Sequence, residues 1–556
     1  MKQLHEADPN LLANLKKYLD PELYGYAEKE LEKFWQLCMT EFDKRAVHTD
    51  REGQPRLIKY DRFGNDVSEV WVNEGYRQTV KQTYESGIVG YVHKTIPELG
   101  RKGNYIYSYA QGYLLSQVEP GFYCPVTLTM ATAYLLEHFA DQELKNKYLP
   151  HVISTGEVER YEGATFLTER QGGSDVGANE VKAVPCGDHY KIYGEKYFAS
   201  NAGMCGVAMV LARIEGSGPG TKGLSLFLVP WRTDDGALNG IQIRRLKDKL
   251  GVRAVPSAEV VFDGAKAYVV GDPTKGFYYM MEALNLSRVC NAVASIGIMK
   301  RALDEAVQYA EERSAFGQTL TSYPMVRETL AHLTARQEVQ TSACFELIAL
   351  FDRIMQAPEQ ATEAEKAWNR LLIAILKMRT AEEAIAFAHE AIEMHGGNGY
   401  IEDFVTPRLL RDAQVLTVWE GTANILSLEV LRLIRKHRIE ERFNDKMREQ
   451  LAALPGHLRP LAKPVESGLD ELMESLPRLQ AMPEHAQTYH AKKIANRLCD
   501  LYLSVTALKN ASESERSEMM ARLFLQHIWP QHLLDYEMLA VHCFDLLVNK
   551  NKKMRV

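Results

Sequence analysis

The sequence predicts an α+β protein in four consecutive parts. These are an N-terminal helical domain (1–160), a middle β-barrel domain (161–275), a C-terminal four-helix bundle (276–438) and a helical extension (439–556). The main observation is a double change of hydrophobic period. Apolar residues recur at three- and four-residue intervals in the first part, fall into short β-branched and aromatic runs from about Ala164, and return to helical spacing from Gly276. A second observation is size: 556 residues leave room for roughly three to four domains, and 46% hydrophobic with 25% charged residues is ordinary globular composition.

In the first part Leu23, Tyr26, Leu31, Phe34 and Leu37 form a helical stripe between charged positions. Residues 51–75, with Gly53, Pro55, Gly64 and Asn65, read as a turn-rich excursion between helices. An apolar helix spans 126–139, and Asp141 is placed to cap the next, which ends near Pro150. The middle part contains HYKIYGEKYFAS, VAMVLARI, LSLFLVPW, IQIRRL and AEVVFD, separated by Gly, Pro and Asp turns, which is the pattern of a barrel or sandwich. GSGPGTKG at 216–223 leads into a strand and is a hairpin loop rather than a dinucleotide fingerprint. Helical stripes then follow through Val289–Ala310, after Pro324, and over about 363–394, the last apolar on more than one side. Beyond Arg438, ALPGHLRPLAKP and SLPRLQAMPEH read as Pro-broken connectors, with helices from about Ala491 and Arg516.

The net charge of -7 argues against a chain-wide nucleic-acid or anionic-membrane footprint. Residues 431–556 nevertheless net about +4, with Arg432, Arg435, Lys436 and Arg438 clustered at a helix end, where cations favour the dipole. The eight cysteines are scattered, without CxxC or nearby His at metal spacing, so no metal site is expected. The first thirty residues carry no apolar signal core and no run reaches membrane-spanning length. A cytoplasmic protein with reduced thiols is expected.

The chemistry concentrates in 389–425, HEAIEMHGGNGYIEDFVTPRLLRDAQVLTVWEGTANI. A helix carrying Glu390 and Glu393 runs into Gly396-Gly397, where the backbone can leave helix. The run Val415, Leu416, Val418, Trp419 then delivers Glu420 before Gly421-Thr422 and a new amphipathic helix. A carboxylate in an apolar lead-in is poorly solvated and can accept a proton near neutral pH. It can equally be an N-terminal helix charge stabilised by the dipole. Both readings stand on these residues alone.

GGNGY…RLLRDAQVLTVWEGTANI resembles the C-terminal signature of the FAD-dependent acyl-CoA dehydrogenases, in which the Glu of the [YW]EG[TS] step is the catalytic base. Three further segments agree in order. YEGATFLTERQGGSDVGANE at 161–180 resembles the family segment that lies along the flavin and the acyl-CoA. That likeness places Phe166, Leu167 and Thr168 facing the isoalloxazine and Ser174 toward the flavin phosphate or the CoA. GEKYFASNAG puts Phe198 and Ser200 where the family commonly has Trp and Thr, over one ring face and its N5 edge; strand core is the plain alternative for Phe198. In 284–320, Arg313 and Phe316 match Arg-x-x-Phe-Gly, whose Arg reaches the FAD pyrophosphate of a neighbouring subunit, and Arg288 matches a position near CoA. Some branches carry the base one residue before that Arg; here Ser287 stands there, which leaves Glu420.

The resemblance further implies FAD contacts at Glu393, Gly396, Gly397, Thr422 and Asn424, and a substrate contact at Gly421. Pro324, Glu393 and Asn424 depart from the Gln residues often found there, which alters the adenine-side contacts. The 51–75 excursion, CPVTLTMA, RLKDKLG and the extension after 440 look most like the AidB-type branch, whose best-known member binds DNA and is a weak dehydrogenase. The implied reaction is α-proton abstraction by Glu420 with β-hydride transfer to FAD, giving a trans-2-enoyl-CoA. The implied partners are an acyl-CoA substrate, an electron-transferring flavoprotein and further copies in a homotetramer. The rival expectation is a DNA-binding, alkylation-stress protective flavoprotein with little turnover.

Overall fold

The computed structural model describes residues 2–532, 534–535 and 537–548. The chain divides into two compact units, residues 21–290 and residues 1–20 with 291–556.

In the first unit, Pro21–Leu37 and Asp43–Arg51 are joined by a single π-helical turn, Cys38–Phe42. The excursion expected at 51–75 is instead a hairpin: β1 (Arg56–Tyr60) pairs antiparallel with β2 (Asp66–Trp71). The N-terminal part is therefore not wholly helical, and a second short ladder joins Thr95–Ile96 to Arg101–Lys102. Helix α1 (Pro120–Phe139) is buried along almost its whole length, and its Thr129 Oγ1 accepts the Gly163 N–H at 2.9 Å. Asp141 caps Gln142–Val152 through the Leu144 N–H, and that helix runs through Pro150 rather than stopping there.

The middle strands are β3 (Glu162–Phe166), β4 (Lys182–Cys186), β5 (His189–Ser200), β6 (Cys205–Ile214), β7 (Leu224–Pro230), β8 (Ile241–Leu246) and β9 (Ser257–Val269). Pairing runs β9–β5–β4–β6–β7 and returns from β7 to β9, so five strands close into a ring while β8 and β3 extend it. Closure leaves those five without a free edge, and side chains such as Ile192, Val210, Phe227 and Val260 fill the interior. The 216–223 segment connects antiparallel β6 and β7, as its Gly-rich sequence requires.

Helix α2 (Gly276–Glu312) contributes residues to both units. In the second unit, α3 (Pro324–Gln356) starts on Pro324, and α4 (Glu363–His395) opens with a capping box between Thr362 and Glu365. Helices α5 (Thr406–Leu416) and α6 (Ala423–His437) pack against α4. The extension is α7 (Ile439–Ala452), α8 (Arg459–Gln480), α9 (Glu484–Asn510) and α10 (Glu515–Ile528), with α9 packed on α3, α4 and α6. Both expected Pro-broken connectors are largely helix, since α8 contains Pro464 and Pro477. Its buried Leu469, Leu472, Leu476 and Leu479 offset the lost backbone bonds. No helix among the described residues is long and apolar enough to cross a membrane, and no group of three or more His, Cys, Asp and Glu among them could hold a metal ion.

Candidate active site

In the second unit the site is a turn between α5 and α6. The Val418 and Trp419 N–H groups both donate to Val415 O at 2.9 Å, which ends α5. Glu420 then adopts φ +60° and Gly421 φ +102°. A left-handed Glu is uncommon and costs free energy, which surrounding contacts must hold in place. Two buried side chains do so. Asn291 Nδ2 donates to Leu416 O at 3.2 Å, and Lys377 Nζ donates to Gly421 O at 2.8 Å. Lys377 is 1% exposed in the middle of α4. The Glu420 carboxylate is half-buried and Val418 beside it is exposed, so the turn is a raised rim rather than the sealed apolar lead-in expected from sequence.

Thr422 is the N-cap of α6, yet its side chain makes no capping bond, and Thr422 and Asn424 are both exposed. The first turn of a fifteen-residue helix thus presents N–H groups, a hydroxyl and an amide suited to an anionic ligand. Gly396 and Gly397 lie exposed just beyond α4, and a Cβ on either would meet nothing within 4 Å. Glu393 is exposed, 4.0 Å from His389. Arg313 and Phe316 sit on the small hairpin Ser314–Ala315/Gln318–Thr319, both exposed, with Phe316 97% exposed.

In the first unit, β3 delivers the 167–174 segment. Leu167 O accepts from Asn179 Nδ2 at 2.8 Å and Lys196 Nζ at 3.1 Å, while Thr168 O accepts the Tyr197 N–H at 3.0 Å. Beneath them Lys196 and Glu169 form a buried ion pair at 2.8 Å, and the Glu169 carboxylate also accepts the Glu180 N–H at 2.6 Å. Burial holds the Lys196 ammonium below its usual range, against the pull of Glu169. At Gly173 a Cβ would come within 2.6 Å of Thr168 Oγ1, so glycine lets this loop lie against Thr168 without displacing its hydroxyl. Ser174 is exposed beyond it.

One expected contact is corrected here. Phe166 is fully buried in the barrel, so its side chain is core and does not face a flavin; only its backbone remains available. Phe198 behaves oppositely: it is 54% exposed, with Lys247 Nζ 4.8 Å from its ring centre, which sets aside the strand-core alternative. Ser200 Oγ lies 3.4 Å from Ser257 Oγ. On α2, Arg288 is buried with Nη1 3.2 Å from Asn285 Oδ1, and the neighbouring Ser287 is buried too. Within the second unit, the exposed donors of α6, the open glycine backbone and Arg313 suit a diphosphate, and within the first the outward Phe198 suits a flat ring.

Sequence reasoning missed Lys377, Asn291, Glu169 and Lys196. Two carried a signal: Lys377 interrupts the apolar run LLIAILKM, and Lys196 has the inward parity of Ile192 on β5.

Known proteins resemble this chain along its whole length. Residues 274–434 match the acyl-CoA dehydrogenase C-terminal domain, 164–265 the acyl-CoA dehydrogenase middle domain, and 2–157 the adaptive response protein AidB N-terminal domain. The chain is 32% identical to acyl-CoA dehydrogenase family member 11 of Caenorhabditis elegans, over 92% of this chain and 84% of that one. It is 32% identical to AidB of Escherichia coli K12, over 69% of each chain. The crystal structure of Caenorhabditis elegans ACDH-11 in complex with C11-CoA superposes with a TM-score of 0.87 at 28% identity, covering 100% of this chain and 97% of that one. The protein belongs to the acyl-CoA dehydrogenase family, in the branch that carries the AidB-type N-terminal domain.

Proposed function

We propose that the protein oxidises acyl-CoA thioesters to trans-2-enoyl-CoA, with Glu420 as the base. The observation that carries this reading is the turn itself: a carboxylate in a strained backbone conformation, pinned from both sides by buried Asn291 and Lys377. Ser287 at the alternative position supports the same choice, because a Ser hydroxyl is far too weak a base to replace a carboxylate.

In this reading Glu420 takes the α-proton of the thioester, and its own backbone N–H donates to the carbonyl oxygen, where negative charge develops. FAD, when bound, supplies the acceptor for the β-hydride. Leu167, Thr168, Phe198 and Ser200 hold its ring. Arg313, Phe316, Glu393, Gly396, Gly397, Thr422 and Asn424 hold its diphosphate and adenine side, with Arg313 and Phe316 acting from a neighbouring copy. Ser174, Arg288 and Gly421 bind the thioester and CoA. The same proposal takes domain limits near 160, 275 and 438, a cytoplasmic location, a homotetramer and an electron-transferring flavoprotein as acceptor. The bare exposure of Phe316, Tyr400 and Met325 supports further copies.

The DNA-protective alternative draws less support. Arg432 pairs with Glu429 at 2.8 Å, Arg435 with Glu484 at 3.2 Å, and Arg438 with Glu441. Cations already paired within the chain contribute little to a phosphate footprint.

The test is an anaerobic titration of FAD-loaded protein with acyl-CoAs from short branched to long straight, centred on eleven carbons because the ACDH-11 complex holds C11-CoA. Bleaching of the visible flavin band by one chain class, abolished in Glu420→Gln, is the expected result. Full-rate bleaching in Glu420→Gln removes Glu420 as base, and a bound flavin that no acyl-CoA reduces overturns the dehydrogenase reading.

A further inference from the structure

A cleft of about 210 Å³ opens between α3, α4 and α7, within the second unit and away from the Glu420 turn in sequence. Its apolar lining is Leu350, Leu372 and Trp368. The other wall is cationic: Arg442 and Lys446 stand one turn apart on α7, on one face of the helix. Neither has a carboxylate partner among the described residues. Lys446 Nζ is held 5.4 Å from the Trp368 ring centre, and the Arg442 Nε is buried with no acceptor among those residues.

The two carboxylates at the cleft do not answer these cations. Glu365 is already engaged by the Thr362 N–H and hydroxyl at 3.0 and 2.9 Å and by Arg353 at 2.9 Å. Glu346 accepts from Lys509 with both oxygens, at 3.1 and 3.0 Å. Two like charges at i and i+4 repel, and a buried guanidinium N–H without an acceptor is costly. The repulsion is relieved by one ligand: an oxyanion seated between the outer N–H groups of the Arg442 guanidinium and the Lys446 ammonium.

We propose that this cleft is a binding site for a small phosphate monoester with a compact apolar or flat body. The guanidinium fork and the ammonium take the phosphate oxygens, while Leu350, Leu372 and Trp368 cover the body. The volume admits a body of about one aromatic ring beside the phosphate.

Phenyl phosphate and inorganic phosphate are the probes, titrated calorimetrically into FAD-loaded protein so that the cofactor's own diphosphate site is filled. Phenyl phosphate should bind saturably at one site per chain and more tightly than inorganic phosphate, which should compete with it. Arg442→Gln and Lys446→Gln should each weaken it about tenfold, one charge-assisted interaction apiece, with unchanged melting temperature and FAD content. Trp368→Leu should weaken phenyl phosphate but leave inorganic phosphate as it was. Absence of saturable binding, or equal binding in the two cation variants, overturns the proposal. Stoichiometric displacement of phenyl phosphate by duplex DNA also overturns it, because the cations would then serve a nucleic-acid backbone.

Discussion

Lys377→Met removes a tie that holds the Glu420 turn. Methionine keeps the aliphatic stem in a site that is 1% exposed, but removes the ammonium that donates to Gly421 O at 2.8 Å. A bond from a charged donor contributes about 1.5–3 kcal/mol, and an orphaned buried carbonyl costs a comparable amount. Against this, the left-handed Glu420 costs about 1–2 kcal/mol that the turn regains on relaxing. The tether and the strain are of the same size, so its loss tips the turn out of the competent conformation. A shift of about 2 kcal/mol lowers the rate of flavin reduction about thirtyfold at saturating acyl-CoA. Acyl-CoA affinity, measured in the absence of turnover, should fall as well, because Gly421 and the Glu420 N–H that the ammonium positions are the groups proposed to meet the thioester. Lys377→Arg, which restores a donor, should recover part of the rate. Stopped-flow reduction of Lys377→Met within twofold of the natural protein, with full FAD content, would falsify the tether. So would an arginine variant no faster than the methionine one.

Three further outcomes follow from buried groups. Burial raises the Glu162 carboxyl from its ordinary 4.5 to about 7, so the fold holds a proton that the unfolded chain releases between those values. Stability should fall as pH rises through that window, by up to about 3 kcal/mol, and Glu162→Gln should flatten the denaturation profile between pH 5 and 8. Lys196→Met leaves the Glu169 carboxylate buried and unpaired, costing about 3–5 kcal/mol and FAD retention, whereas Glu169→Gln with Lys196→Met should recover most of the stability. Phe166→Ala should destabilise by about 3–5 kcal/mol with an unshifted flavin spectrum; a spectral shift at unchanged stability would return Phe166 to the ring.

The elements most legible in sequence were those whose period is unbroken and whose apolar face is continuous. The helix read over about 363–394 is Glu363–His395, and the five β-rich middle runs are all strands. The 51–75 hairpin escaped because β1 alternates exposed and half-buried residues, with Lys59 in the half-buried set and no apolar face to show a period of two. Helix α8 escaped because Pro464 and Pro477 read locally as breaks, while the leucines that outweigh them act only once packed. At the candidate site, local motifs singled out Glu420, Phe198 and Arg313. Lys377 and Asn291 meet the turn across 44 and 125 residues, a separation no local pattern encodes. Phe166 was misplaced for a related reason: the motif fixes the path of its backbone, and only the closed barrel decides which way the ring points.

Charge shows the same limit more sharply. Counted along the chain, Arg432–Arg438 is the conspicuous basic cluster, and ERFNDKMREQ at 441–450 is a near-neutral mixture. In the fold the order reverses. Glu429 and Glu441 lie three residues from their arginines and Glu484 is brought in from α9, so all three arginines of the cluster already have carboxylate partners. Within the neutral stretch, helix geometry sorts the signs. Arg448 reaches Asp470 at 2.6 Å, whereas Arg442 and Lys446 turn together toward the Trp368 cleft, whose Glu346 and Glu365 are engaged by Lys509 and Arg353. A field that attracts an anion depends on cations left uncompensated at a concave surface, not on the sum over a segment. The net of about +4 in residues 431–556 therefore points at the wrong residues, and the two that matter stand where the count is closest to zero.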